Sequence, residues 1–370
     1  MAGTVRGSTR SWTRRGARLS DESRIDSVEL REMVEGIFTG CQVPDEQAGL
    51  IADHLVQANL RGVDSHGVSR VGVYVDRIEQ SLVSARTALE TVHETPVSAL
   101  VDGGNGSGIV VAERAMRLAV SKALDAGVGL VSARGSNHCG MLAYYTAMAA
   151  RAGLIGFAVT SAPPTMAPWG ARTPFFGTNP LSYAIPMAER DDIVFDMATS
   201  QVARGKIILA AKEGRNIPVG WALTTDGQQT EDADAALDGV MLPLGGPKGS
   251  GLALLVETLS SALSAAPFGP HIPPLYHNPD HTQQLGHFFM ALRPDLFRSP
   301  SEFAATMTQL AGEITALPAL PGHDRVYLPG EIEARTARDR VEHGIPISQE
   351  VRDELIRLSG RLDAATGNSR

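Results

Sequence analysis

In the stretch Arg61-Gly62-Val63-Asp64-Ser65-His66-Gly67-Val68-Ser69-Arg70 a histidine and an arginine stand four residues apart, and Tyr74 follows at the same interval. Imidazole exchanges a proton near neutral pH, and a guanidinium grips a carboxylate through two parallel hydrogen bonds. On a helix the three side chains would share one face, giving a proton carrier, a carboxylate clamp and a hydroxyl in a row. Helical N–H groups near Ser65 would add positive potential for an anionic ligand. The same potential opposes a charged imidazole, so an acid role for His66 calls for a carboxylate beside it. Such groups suit the oxidation or reduction of a small 2-hydroxy or 2-oxo acid. An exposed capping segment with surface histidine and arginine meets the same spacing.

Three further stretches carry candidate chemistry. Ser136-Asn137-His138-Cys139-Gly140 lies between a predicted strand and a predicted helix, where helical N–H groups point outward to a ligand; a structural turn capped by His138 is the plainer account. Asp196, in Phe195-Asp196-Met197-Ala198-Thr199-Ser200, ends an apolar strand, where it would face a cleft and pair with a histidine or else cap the next helix. Gly245-Gly246-Pro247-Lys248-Gly249-Ser250-Gly251 opens a helix with one lysine, which fits phosphate contact or a tight solvated turn. It is not the P-loop pattern, because Gly249 stands where Ser or Thr should follow the lysine. Gly104-Asn105-Gly106-Ser107-Gly108 has the wrong glycine spacing for a Rossmann loop. His271, His277, His281 and His287 fall in an irregular segment without the carboxylate partners of a metal site, so no metal is expected.

The elements that must position these groups follow from periodicity. Ala48, Ile51, Ala52, Leu55 and Val56 repeat at helical spacing after Pro44, and Gly62 ends that helix. A second helix is predicted from Asp64 or Ser65 towards Gln80. Residues 97–102, 127–133, 154–161 and 287–292 read as strands; 109–126, 140–152, 199–213, 249–265, 301–316 and 348–362 read as helices. Short strands flank Pro180 and end with Ile193–Asp196. Residues 162–178 are rich in proline and glycine and read as loop. This order gives an α/β fold: residues 81–299 form a mixed α/β nucleotide- and substrate-binding domain, and 23–80 with 300–370 form a helical domain from both chain ends.

Composition bounds the rest. The chain has 370 residues, 43% hydrophobic and 20% charged, with a formal net charge of -8, so an extended nucleic-acid face is not expected. Cys41 and Cys139 are the only cysteines, which gives no disulfide framework and points to the cytoplasm. No apolar run reaches the roughly 18–20 residues of a membrane helix. Arg6, Arg10, Arg14, Arg15 and Arg18 precede the first acid, Asp21, without the apolar block of a signal peptide, so 1–22 reads as a disordered basic tail.

Taken together, these stretches resemble the malate/L-lactate dehydrogenase family that lacks the Rossmann fold. The likeness runs from about Asp26 to about Ile347, through blocks at Leu60–Arg70, Asn137–Tyr145, Met166–Gly170, Gly177–Leu181, Asp196–Ser200, Ile217–Ala222, Gly245–Leu252 and Pro329–Glu331. The resemblance implies a homodimer, a mixed-sheet nucleotide domain, and NAD or NADP as hydride carrier. It also implies roles. His66 matches the acid/base, Ser65 and Asp196 its proton relay or stabilisers, and Arg70 a substrate-carboxylate ligand, with Tyr74 beside it on the substrate. His138 matches a base that lies close to the cofactor in ureidoglycolate dehydrogenases. Thr160, Asp196, Met197, Ala198, Lys248, Gly249, Gly330 and Glu331 match dinucleotide contacts. In this scheme Asp196 orients the His66 ring and raises its proton affinity. The C-terminal part looks nearest to ureidoglycolate dehydrogenases, but Ala162 replaces a substrate-binding serine, at a cost of about 1–3 kcal/mol to a polar substrate. Ala171 after Gly170 departs from a usual glycine pair. The alternative substrate class on this scaffold is a cyclic imine, piperideine- or pyrroline-2-carboxylate.

Overall fold

The computed structural model describes residues 23–367 apart from His277 and Pro279; the basic stretch 1–22 and His277 lie outside it. β1 (Ser23–Ile25) leads into α1 (Ser27–Gly40), which starts where the Asp26 carboxylate accepts from the N–H groups of Val28 and Glu29. α2 (Asp45–Leu60) follows Pro44 and carries Asp45 and Glu46 in its first turn, where the helix dipole favours acids. Leu30, Val34, Ile37 and Phe38 of α1 pack on Ile51 and Leu55 of α2, and α3 (Val71–Glu79) adds Val71 and Val75.

The sheet begins with β2 (Glu90–Glu94) and β3 (Ser98–Asp102). α4 (Gly108–Ala126) then crosses to β4 (Val128–Ser136), which pairs parallel to β3. Val111, Ala115, Met116 and Ala119 form the buried face of α4. The helix lies so close that a Cβ on Gly129 would meet the Ala119 carbonyl at 1.9 Å. α5 (Ala143–Arg151) precedes β5 (Ile155–Thr160), β6 (Leu181–Ile185) and β7 (Ile193–Met197). Of the strands expected on both sides of Pro180, only the following one is a strand of the sheet.

Next comes a small lobe of α6 (Arg204–Lys212), β8 (Ala222–Leu223), α7 (Ala233–Asp238), β9 (Val240–Met241) and α8 (Pro247–Glu257), packed around Met166, Ile207, Ile217 and Met241. The helix expected over 249–265 starts at Pro247 and widens to a π turn at Thr258–Ala262. The chain then returns as β10 (Leu285–Leu292), inserted between β4 and β5. Strand order in the main sheet is β2-β3-β4-β10-β5-β6-β7. Phe289 of β10 is fully buried opposite Val131 and Ala158.

α9 (Pro300–Thr315) opens with a capping box between Ser299 and Glu302. Ala311, Met307 and Ile314 rest on Ile193, Tyr183 and Ile185, so this helix covers the β6–β7 edge. α10 (Glu331–His343), β11 (Ile345–Ile347) and α11 (Gln349–Gly367) do return to the N-terminal helices. Ile345, Ile347, Leu355 and Leu358 enter their core, and β11 pairs antiparallel with β1.

Two buried histidines bind these layers. His287 bridges three strands: its Nδ1 lies 2.7 Å from the Thr160 hydroxyl and its Nε2 2.7 Å from that of Ser136. His54 in α2 accepts the Met141 N–H on Nε2 at 2.9 Å, and its buried Nδ1 has no partner. Desolvation lowers both rings from 6.5 to about 3. The unfolded chain takes up protons below 6.5 that the folded rings refuse, so these rings favour the fold above that value and oppose it increasingly as pH falls towards 3. Urea unfolding should show stability falling between about pH 7 and about pH 4, and His54→Phe should flatten part of that slope. An unchanged slope in His54→Phe would contradict a neutral buried ring.

Candidate active site

After Leu60 the chain does not run into one helix. It makes two 3₁₀ turns, Asp64–His66 and Val68–Arg70, separated at Gly67, and only Val71–Glu79 is α-helical. The cause is Asn59, buried at the end of α2. Its Oδ1 accepts the Val68 N–H at 2.8 Å, and its Nδ2 donates to Asp64 at 2.6 Å. The carboxamide fills the notch at Gly67, where a Cβ would lie 2.1 Å from Oδ1. The straight row of His66, Arg70 and Tyr74 is therefore replaced by a folded loop. Arg70 turns back, and its Nε donates to the Ser65 carbonyl at 2.6 Å.

This folding brings His66 and His138 together. Their rings stack with centroids 5.6 Å apart and planes 22° apart. Ser65 Oγ lies 2.9 Å from His66 Nδ1. His138 reaches the site because Asn137 is tied back: its Nδ2 donates to Asn105 Oδ1 at 3.1 Å and to the Gly106 carbonyl at 2.9 Å. A Cβ on Gly108 would fall 2.0 Å from the Asn137 carbonyl oxygen. The glycines around Asn105 thus seat His138 by packing. The Tyr74 hydroxyl is 2.6 Å from His138 Nδ1, and the Gly140 N–H also donates there at 3.4 Å. An amide can only donate, so Nδ1 is the acceptor and the neutral ring carries its proton on Nε2.

Both rings are hard to charge. Desolvation, and then the nearby Arg70 charge, lower His66 from 6.5 to about 4. Desolvation lowers His138 well below its ordinary value, with Arg70 and His66 adding to it. Asp196 does not relieve this. Its Oδ2 accepts the Ala143 N–H at 2.7 Å at the start of α5. Desolvation raises its carboxyl from 3.8 to about 6, opposed by that N–H and by Arg61. Among the described residues no carboxylate pairs with His66, so the expected orienting role of Asp196 is not met: strand β7 ends with this side chain aimed at the α5 terminus. Arg70 has no protein hydrogen bond on its two terminal nitrogens among the described residues, and the Tyr276 ring centroid lies 5.6 Å from its Cζ. Tyr74, expected on the substrate, is engaged by His138.

The dinucleotide candidates divide. Met197 and Ala198 follow Asp196, and the next residue, Thr199, accepts the Leu244 N–H at 2.9 Å. A Cβ on Gly249 would meet Leu244 N at 2.4 Å and the Thr199 carbonyl at 2.7 Å, so α8 abuts this segment. Gly246 caps α8 with φ 65°, and Lys248 is exposed in its first turn. A helix N-terminus with an exposed lysine beside a strand end fits an anionic dinucleotide. Gly330, at φ 90°, lies against β7, where a Cβ would meet the Val194 carbonyl at 2.8 Å. The Glu331 carboxylate accepts the Leu328 N–H at 2.9 Å and receives Arg325 at 3.2 Å, which ties the turn before its helix. Thr160 is buried with its hydroxyl 2.7 Å from His287 Nδ1. Ala162 donates its N–H to Asn179 at 3.3 Å, and Ala171 is exposed. His54, Asn59, Asp64 and Arg340, which brace the two histidines, were not singled out by sequence. An amide and a carboxylate flanking a glycine-broken loop were the signal available.

The family described as malate/L-lactate dehydrogenase matches residues 25–356. Malate dehydrogenase of Pyrococcus abyssi is 37% identical over 347 residues, spanning 92% of this chain and 95% of its own. Ureidoglycolate dehydrogenase (NAD(+)) of Escherichia coli K12 is 32% identical over 333 residues, spanning 90% and 95%. Over the whole chain, then, the likeness to malate dehydrogenase exceeds that to ureidoglycolate dehydrogenase, although the C-terminal part had suggested the latter. The solved structure of sulfolactate dehydrogenase from Methanocaldococcus jannaschii superimposes with a TM-score of 0.87 at 34% identity, covering 92% of this chain and 97% of that one. Both NAD(+) and NADP(+) occur in the names of the relatives.

The electrostatics of the paired rings are open to measurement. Because Arg70 depresses His66, Arg70→Met should move the His66 titration upward from about 4 towards 6.5, followed by NMR of the imidazole. An unmoved or lower midpoint would show that Arg70 does not face the ring.

Proposed function

The chain belongs to the malate/L-lactate dehydrogenase family and is an NAD(P)-dependent 2-hydroxy acid dehydrogenase, in which we propose that the loop carrying His66 and Arg70 is the catalytic centre. The observation that carries this assignment is the stacked pair of neutral imidazoles beside a guanidinium with open terminal nitrogens. When bound, the nicotinamide accepts the hydride in oxidation and donates it in reduction. Arg70 grips the substrate carboxylate and fixes the reacting carbon, a positioning effect able to contribute several kcal/mol. His66 takes the hydroxyl proton in oxidation, for which its resting neutral state is the competent one. In reduction it must first hold that proton, and the bound carboxylate helps by offsetting the charge of Arg70. Ser65 orients the ring through Nδ1. His138 offers its Nε2–H towards the substrate oxygen, with Tyr74 fixing its tautomer.

Asp196 supports the α5 terminus beside the site. Met197, Ala198, Lys248, Gly249 and Gly330 would hold the dinucleotide, with the α8 terminus and Lys248 against its phosphates. Glu331 contributes by shaping the turn at Gly330. The substrate is a small acid of the malate, lactate or ureidoglycolate type. We also propose a homodimer. Its support is the row of outward apolar side chains on and beyond α8, with Leu254, Leu255 and Leu263 58%, 49% and 59% exposed. A cytoplasmic setting accords with two cysteines in 370 residues and with use of a nicotinamide pool.

A panel of malate, lactate, sulfolactate, ureidoglycolate and piperideine-2-carboxylate, each with either nicotinamide, should give turnover on a 2-hydroxy acid, read by absorbance of the reduced cofactor. Activity confined to the cyclic imine would replace this substrate class with the alternative. His66→Ala should lower kcat by roughly two to four orders of magnitude with cofactor affinity nearly unchanged. Sedimentation should report a two-chain species that Leu254→Glu weakens; a monomer at micromolar concentration would remove the dimer.

A further inference from the structure

The His66 loop is braced from outside the site. Arg340, in the last turns of α10, donates from Nη1 to Asp64 Oδ1 at 2.6 Å and from Nη2 to Asp64 Oδ2 at 3.1 Å. Its Nη1 also donates to the backbone carbonyl of Asn59. The Arg340 side chain is mostly covered, at 13% exposure. Asp64 in turn receives the Asn59 carboxamide at 2.6 Å, and the same carboxamide takes the Val68 N–H at 2.8 Å. Asp64 stands two residues before His66 and Val68 two residues after it. One connected network therefore holds both flanks of the ring.

The helix that supplies Arg340 also reaches the other half of the site. α10 begins at Gly330, which rests on β7 just before Asp196, and Arg338 pairs with Asp191 at 2.8 Å ahead of the same strand. Thr336 lies against Gly62, where a Cβ would meet its methyl at 3.2 Å. A single rigid helix thus spans from the strand end bearing the dinucleotide candidates to the loop bearing the proton carrier. Bidentate arginine–carboxylate geometry fixes direction as well as distance, which a lysine cannot reproduce.

We propose that Arg340 is a positioning residue of this dehydrogenase, acting through Asp64 and Asn59 to hold His66 in register with the cofactor-side end of α10. The assignment rests on the reading of His66 as the proton carrier. Arg340 touches neither substrate nor nicotinamide in this scheme, so its loss should appear in turnover and not in cofactor binding.

The test compares the full-length enzyme with Arg340→Met and Arg340→Lys. Arg340→Met should lower kcat by about tenfold to a hundredfold, as expected when a catalytic group is misplaced by around 1 Å. Reduced-nicotinamide affinity, read by fluorescence, should stay within about twofold. Arg340→Lys should recover part of kcat. The acidic limb of the rate profile should move up from about 4, because a loosened loop is better solvated. Hydrogen exchange of the peptide covering residues 61–70 should quicken in Arg340→Met. Unchanged kcat and pH limb would overturn the proposal, and so would cofactor affinity falling in step with kcat. Full turnover in His66→Ala would instead sink the reading of His66; unchanged exchange at 61–70 in Arg340→Met would sink the brace itself.

Discussion

A largely desolvated imidazole stacked on a second imidazole and within the field of a guanidinium, with no carboxylate paired to it among the described residues, resists a proton at neutral pH. That constraint at His66 governs how the rest of the site must work. Each unit of pKa depression corresponds to about 1.4 kcal/mol against the charged ring. The protein leaves that penalty standing in the resting state. If Arg70 holds the substrate as proposed, the missing negative charge is one that a carboxylate-bearing substrate brings with it. On the proposed roles of His66 and Arg70, recognition and proton affinity are then the same event, and a ligand lacking the carboxylate would leave the ring a poor acid.

Holding the rings in that relation draws on distant parts of the chain. His66 comes from the turn after α2, His138 from the turn after β4, and Arg70 from the residues just before α3. Close packing at glycines sets the spacing: Gly108 against Asn137, Gly67 against Asn59, and Gly140 against His54, where a Cβ would meet Nε2 at 2.2 Å. At each place backbone or a planar side chain occupies the volume that a methyl group would need. The buried His287 adds a polar tie across β4, β10 and β5, joining the strand ends beside His138 and at Thr160.

Periodicity made α2, α4, β5 and β10 legible, because each carries a run of apolar residues at the spacing of its own element. The chemistry-bearing stretches were legible too, since His66, Arg70, His138, Asp196 and Lys248 all fall at element ends near the strand and helix termini. What periodicity could not reveal was the break at Gly67. Valine and tyrosine continue the helical pattern through that point, and only the carboxamide of Asn59, eight residues upstream, competes for the backbone. The partner of Asp196 was equally hidden. A backbone N–H leaves no mark in a sequence, whereas a histidine does, and the visible candidate drew the assignment. The neighbour of α9 was hidden for a related reason: its apolar residues suit any apolar surface, and periodicity does not say that they meet β6 and β7.

The antiparallel pairing of β1 with β11 has a consequence for how the chain is made. Arg24 donates to the carbonyl of Gly344 across a separation of 320 residues, and the α1–α2 core is completed only by Ile345, Ile347, Leu355 and Leu358. During synthesis the first two helices leave the ribosome with an apolar flank whose cover has not yet been translated. At roughly 5–20 residues per second, that flank waits on the order of tens of seconds for its closing strand. The helix bearing Asn59 therefore gains its last apolar cover, and the loop at His66 its Arg340 brace, only from the final segment of the chain.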